Sequence, residues 1–145
     1  MPSTLELSEL TTKIGRVFMA GMPGFHMDQG TARLIRDYGL GGIILFSRNI
    51  EDPVQVADLC RELQKTALHS QGTPLFIAVD QEGGRVARLK RPFTEFPGNE
   101  FIGRDPRPVD RAKEFAEKTA EEMSLVGLNM NLAPVLDVVG DVKDS

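Results

Sequence analysis

A single cysteine, Cys60, is all the thiol this chain of 145 residues carries. One cysteine excludes an internal disulfide and fits a reducing compartment. The two histidines, His26 and His69, show no zinc-ligand spacing, and no Ser-His-Asp or Cys-His arrangement accompanies them. No apolar run approaches the roughly 20 residues that cross a bilayer. The N-terminus, MPSTLELSEL, has neither the positive n-region nor the apolar h-region of a secretory signal. The cytoplasm is therefore the expected compartment. A net charge of −4 leaves no basic footprint for nucleic acid or for a membrane surface. Neither GxGxxG nor GxxxxGK[ST] occurs, and low-complexity tracts are missing.

What is present is the make-up of one globular domain, 41% hydrophobic and 26% charged. Short runs rich in branched and aliphatic residues predict strands over 16–20, 42–46, 75–79 and 128–132. Helical periodicity fills the gaps. Residues 31–38 place Leu34, Ile35 and Tyr38 on one face, with Gly39 as the stop. Asp52, Pro53 and Gln55 form a start signal close to a capping box. The helix that follows carries the apolar stripe Val56, Leu59, Cys60, Leu63 and Ala67, which makes Cys60 a core residue rather than a nucleophile. A last helix over 109–126 is expected to bury Ala112, Ala116, Ala120 and Met123. Lys113–Glu117 and Glu114–Lys118 are its expected surface pairs, and Gly127 its end. This alternation predicts an α/β fold with a parallel sheet and right-handed crossovers. Periodicity leaves a doubly wound sheet and a (β/α)8 barrel equally open.

In such folds chemistry collects at the carboxyl ends of the strands. The stretch PLFIAVDQEGGRVARL is an apolar run that stops at Asp80, followed by Glu82, Gly83, Gly84, Arg85 and Arg88. Asp80 reads either as a ligand-binding carboxylate or as a capping or ion-paired strand-end residue. Glu82 and Arg85 read as an ion pair that fixes the loop, and Gly83-Gly84 as an alternative backbone nest for an anion. Arg48 and Asn49 follow the second strand, with Asn49 as a turn residue; Asp137 follows the fourth, either bracing the sheet end or lining a pocket. Asp80, Glu82 and Asp137 lack the tight spacing of a hard-cation site, so no metal or cofactor is expected. The proline-rich segment 90–108 is long for a loop and follows the Asp80 strand.

Four segments carry a resemblance: GGIILFSRNI from Gly41 to Ile50, VDQEGGRVARL from Val79 to Leu89, FPGN from Phe96 to Asn99, and NLAPVLDV from Asn131 to Val138. In this order they resemble the signatures of the bacterial β-N-acetylhexosaminidases of glycoside hydrolase family 3. The resemblance implies the N-terminal half of a TIM-type (β/α)8 barrel, about four βα units, with 1–145 as a partial catalytic domain. Such a barrel typically needs about 250 residues. It also implies a retaining hydrolase that releases β-linked N-acetylglucosamine, or related β-glycosides, from cell-wall-derived saccharides, through a covalent glycosyl-enzyme formed on an Asp. Asp80 and Arg88 match family positions at the sugar pocket, with Glu82, Arg85, Asn49 and Asp137 as pocket or loop support. The nucleophile and the His-Asp proton-transfer pair are expected beyond Ser145, so no catalytic residue is assigned within the chain. Open sheet edges would then favour self-association or pairing with the missing half. The alternatives are an inactive fragment, a weak sugar-binding module, or a doubly wound anion-binding domain.

Overall fold

The computed structural model describes residues 4–137, with side chains from Leu10 onward. In chain order the elements are helix α1 (Thr4–Gly15), strand β1 (Met19–Gly21), α2 (Gln29–Tyr38), β2 (Gly42–Leu45) and α3 (Pro53–Gln71). They are followed by β3 (Phe76–Val79), β4 (Gln81–Gly83), β5 (Val86–Ala87), α4 (Asn99–Gly103), α5 (Pro108–Leu125) and β6 (Met130–Asn131). Strands β1, β2, β3 and β6 form one sheet in that order, and every pairing is parallel.

The order decides between the two parallel architectures. A doubly wound sheet reverses direction at a switch point and carries helices on both faces. Here neighbours follow chain order, and one face takes α2, α3 and α5: Ile43, Leu45, Ile77 and Val79 pack with Ile35 of α2, with Val56, Leu59, Cys60, Leu63 and Ala67 of α3, and with Met123 of α5. The chain is the first half of a (β/α)8-type barrel, without closure. The doubly wound alternative is overturned.

Strand alternation turns the remaining residues to the other face. In register, Met19, Gly42 and Phe76 form one row there, and Gly21, Ile44, Ala78 and Met130 the next. In a closed barrel this face is the interior. Phe76 is 61% exposed on it, because four strands do not wrap around to cover it.

The helix boundaries follow the local chemistry. Asp52 accepts the Gln55 N–H at 2.9 Å, and Gln55 Oε1 reaches back to the Glu51 N–H at 2.9 Å, one residue earlier than in a true capping box. Gly39 ends α2 at φ 67°, with its N–H returned to the Ile35 carbonyl at 3.2 Å. Helix α3 runs on past His69 to Gln71.

Helix α5 departs from expectation. It buries Phe115, Thr119 and Met123, while Ala112, Ala116 and Ala120 stay exposed. Two apolar stripes compete on this helix, and burying the larger side chains removes more apolar area from water. The alanines instead line a groove of about 410 Å³ beside the open β6 edge, shared with Leu128, Met130 and Pro134. Lys113 pairs with Glu117 at 3.7 Å, but Glu114 pairs with Arg111 and Lys118 with Glu121 rather than with each other. Segment 90–108 is also less irregular than expected, since it contains α4.

Candidate functional site

The site is assembled at the carboxyl ends of β1, β2 and β3. Asp80 directly follows β3 and, by strand alternation, shares the interior face with Phe76 and Ala78. The chain then folds back through the β4–β5 hairpin, an antiparallel pair with an irregular register between Gln81 and Gly83. That reversal returns Arg88 to the strand end, where its Nη2 donates to Asp80 Oδ2 at 2.9 Å. The side chains are only 27% and 18% exposed, Arg88 and Asp80 respectively, so this pair is better shielded than the ion pairs on α5. A charge-assisted bond of this kind fixes the carboxylate and leaves its other oxygen open to hydroxyl donors.

Gly83 and Gly84 make the reversal possible. Their φ values of 87° and 61° suit only glycine, and added Cβ atoms would lie 2.8 Å from the Pro97 carbonyl and 2.9 Å from the Gly98 nitrogen. The Gly84 N–H donates to the Phe96 carbonyl at 2.8 Å. It is therefore spent on the loop rather than on an anion, which corrects the nest reading. Phe96 in turn meets Phe115 of α5 edge-on, with centroids 5.3 Å apart. The loop is further held where Glu122 accepts the Thr94 N–H at 2.8 Å and the Thr94 hydroxyl at 2.6 Å. The hairpin is locked from inside by Gln81, whose buried amide exchanges two hydrogen bonds with the Leu89 backbone, at 3.0 and 2.9 Å.

Asn49 is fully buried and braces the neighbouring strand ends. Its Oδ1 accepts the Phe46 N–H at 2.9 Å, while its Nδ2 donates to the Met22 and Gly24 carbonyls at 3.1 and 2.8 Å. Arg48 Nε donates to the same Met22 carbonyl at 2.9 Å. Its guanidinium lies 4.7 Å from the Phe46 ring centroid, and that of Arg88 lies 5.8 Å from it. Gly21 leaves the space: a Cβ there would come 3.0 Å from Arg48 Nη2 and 3.4 Å from Phe46 Cε2.

The expected Glu82–Arg85 ion pair is not formed. Glu82 is half-buried, Arg85 is exposed on the hairpin turn, and no ion pair joins them among the described residues. The arginine that the reversal brings to a carboxylate is Arg88, on Asp80. Asp137 is exposed and makes no hydrogen bond or ion pair among the described residues, so it braces nothing there. Among the described residues, Asp80, Glu82 and Asp137 do not converge as metal ligands. His26 and His69 are exposed, and neither forms an ion pair or side-chain hydrogen bond with Asp80 or Arg88 among the described residues. Cys60 is 1% exposed, and burial pushes its thiol up to about 12. The sequence reading missed Phe46 as part of this cluster. The available signal was an aromatic at a strand's carboxyl end, two residues before an arginine.

The fold and this polar rim define a class: the carboxyl-end portion of a (β/α)8-type barrel domain. Residues 9–145 match the sequence profile of the glycosyl hydrolase family 3 N terminal domain. The chain belongs to that family. It is 43% identical over 111 residues to beta-hexosaminidase A of Pseudoalteromonas piscicida, a match covering 74% of this chain and 19% of that protein. It is 40% identical over 106 residues to a beta-hexosaminidase of Pseudomonas aeruginosa, covering 73% of this chain and 30% of the relative. The structure of a glycoside hydrolase family 3 beta-N-acetylglucosaminidase from Paenibacillus sp. str. FPU-7 superposes with a TM-score of 0.84 at 42% identity, covering 89% of this chain and 24% of that one. Native NagZ from Neisseria gonorrhoeae gives 0.75 at 31% identity, covering 83% and 36%. The chain thus spans between 19% and 36% of the length of these relatives. No helix among the described residues is long and apolar enough to cross a membrane.

Proposed function

We propose that residues 1–145 form part of the catalytic domain of a retaining glycoside hydrolase that releases β-linked N-acetylglucosamine from cell-wall-derived saccharides. In this reading Asp80 and Arg88 hold the sugar. The observation that carries it is the shielded Asp80–Arg88 ion pair at the carboxyl end of β3, on the face that a barrel would turn inward. A carboxylate fixed on one oxygen presents the other to a sugar hydroxyl at little reorganisation, and bonds to sugar hydroxyls that strengthen in the transition state contribute to glycosidase catalysis. Asn49 and the Gly83-Gly84 turn hold this wall in place. Glu82 and Asp137 remain candidates for contacts at its margin. Retaining hydrolysis needs two reacting groups flanking the scissile bond, and this reading assigns neither to residues 4–137. The alanine-lined groove beside β6 is read as the seat of the next βα unit of such a barrel.

The test is a titration of N-acetylglucosamine against the chain and an Asp80→Ala variant, followed in 1H–15N spectra. The expected result is a saturable response around Asp80 that weakens by about tenfold or more in the variant, the loss of one hydrogen bond to a charged group. Equal responses would remove Asp80 from the sugar site.

A further inference from the structure

One hydrogen bond joins Arg88 to Asp80 and leaves the plane of the guanidinium unset. Among the described residues the Asp80 carboxylate is the one hydrogen-bonding partner of Arg88, and it engages Nη2 alone. Arg88 Nε is buried and donates to no acceptor. That bond fixes one carboxylate oxygen, but a planar guanidinium held at one terminal nitrogen needs a second contact to set the orientation of its plane. The second restraint is aromatic. Phe46 stands at the carboxyl end of β2, on the same strand parity as Gly42 and Ile44, with its ring centroid 5.8 Å from Arg88 Cζ. The ring is itself fixed. Its backbone N–H is held by buried Asn49, Arg48 lies against it at 4.7 Å, and Arg48 is anchored to the Met22 carbonyl.

We propose that Phe46 is a positioning residue: its ring holds the Arg88 guanidinium, and through it sets the orientation in which Asp80 meets a sugar hydroxyl. The inference rests on the sugar-binding reading for its purpose but not for its geometry. The electron-rich face of the ring attracts the cation while leaving Asp80 as the sole acceptor, so the guanidinium turns toward the carboxylate. Arg48 fixes the ring from the turn after β2 and, among the described residues, carries no bond to Asp80.

The experiment uses the full chain with three replacements: Phe46→Leu, Phe46→Tyr, and pentafluorophenylalanine at position 46. The last keeps the ring's shape and reverses the sign of its face, so it separates electrostatics from packing if the leucine variant folds poorly. The first readout is the Arg88 side chain in 1H–15N spectra. Wild type and Phe46→Tyr are expected to show a ring-shifted Nε–H and separate, slowly exchanging Nη signals. In Phe46→Leu the ring shift disappears, and in both Phe46→Leu and the fluorinated protein the Nη signals merge. The second readout is N-acetylglucosamine affinity, expected to fall about fivefold in the same two proteins, the worth of one partly shielded cation–π contact, and to return within twofold in Phe46→Tyr. Unchanged Nη exchange in the fluorinated protein would overturn the proposal. If wild type itself ignores the sugar, the sugar reading fails, and the Nη signals still decide the role of Phe46.

Discussion

Replacing Asn49 by alanine removes a side chain that is fully buried and uses all three of its hydrogen bonds on backbone. The Phe46 N–H and the Met22 and Gly24 carbonyls each lose a partner. At about 1 kcal/mol net per intramolecular hydrogen bond, the three together predict a loss of about 3 kcal/mol. That is a large share of the roughly 5–15 kcal/mol that holds a domain folded. The assay is urea unfolding followed by circular dichroism. With a slope of about 1.5 kcal/mol per M, the midpoint should fall by about 2 M with no change in slope. The Met22 carbonyl also holds Arg48, so the Phe46 platform should loosen with it. A midpoint shift below about 0.5 M would show that water replaces these contacts without penalty, and would refute the brace.

Other positions give independent checks. Gly84→Ala forces a Cβ to within 2.9 Å of the Gly98 backbone at φ 61°, so it should destabilise by more than about 1 kcal/mol; an unchanged melting temperature would contradict the turn geometry. Cys60, its thiol pushed up to about 12 by burial, should resist iodoacetamide at pH 8 in the folded chain and react once urea is added; native-state alkylation at the rate of a free thiol would contradict its burial. The Asp28 carboxyl is held below its ordinary value by hydrogen bonds from the Thr31 side chain and backbone. Its contribution is therefore complete above the unfolded pKa of about 3.9 and is lost as pH falls through the lower folded value. Asp28→Asn should flatten the stability profile below about pH 4, and an acid limb identical to wild type would refute that cap.

Strand chemistry was legible where side chains decide it. Ile43, Leu45, Ile77 and Val79 mark β2 and β3 by their branched, apolar run, and Asp52, Pro53 and Gln55 mark the start of α3. Of the buried stripe of α5, Met123 was legible and Phe115 and Thr119 were not, because Ala112, Ala116 and Ala120 repeat at the same helical spacing as Phe115, Thr119 and Met123. Only the position of the sheet says which stripe meets it. The β4–β5 hairpin was missed because QEGGRVA has no apolar alternation; its only signal is the glycine pair. That omission carried over to the site. Without the reversal, Glu82 and Arg85 read as the natural pair, since residues eight apart such as Asp80 and Arg88 meet only when the chain doubles back. The strand order, too, lies outside periodicity: β1-β2-β3-β6 separates a barrel from a doubly wound sheet, and no local pattern encodes it. The position of Asp80 was legible, because the apolar run that makes β3 stops at it and leaves the carboxylate at the carboxyl end of the strand.

The most direct measurement is a crystal structure of the chain soaked with N-acetylglucosamine. The account predicts sugar hydroxyls within hydrogen-bond distance of the Asp80 carboxylate, on the side of the sheet that bears Phe76 and Ala78, with Arg88 still bonded to the carboxylate from behind. A sugar bound elsewhere, or Asp80 turned toward α3 and the helix layer, would contradict it.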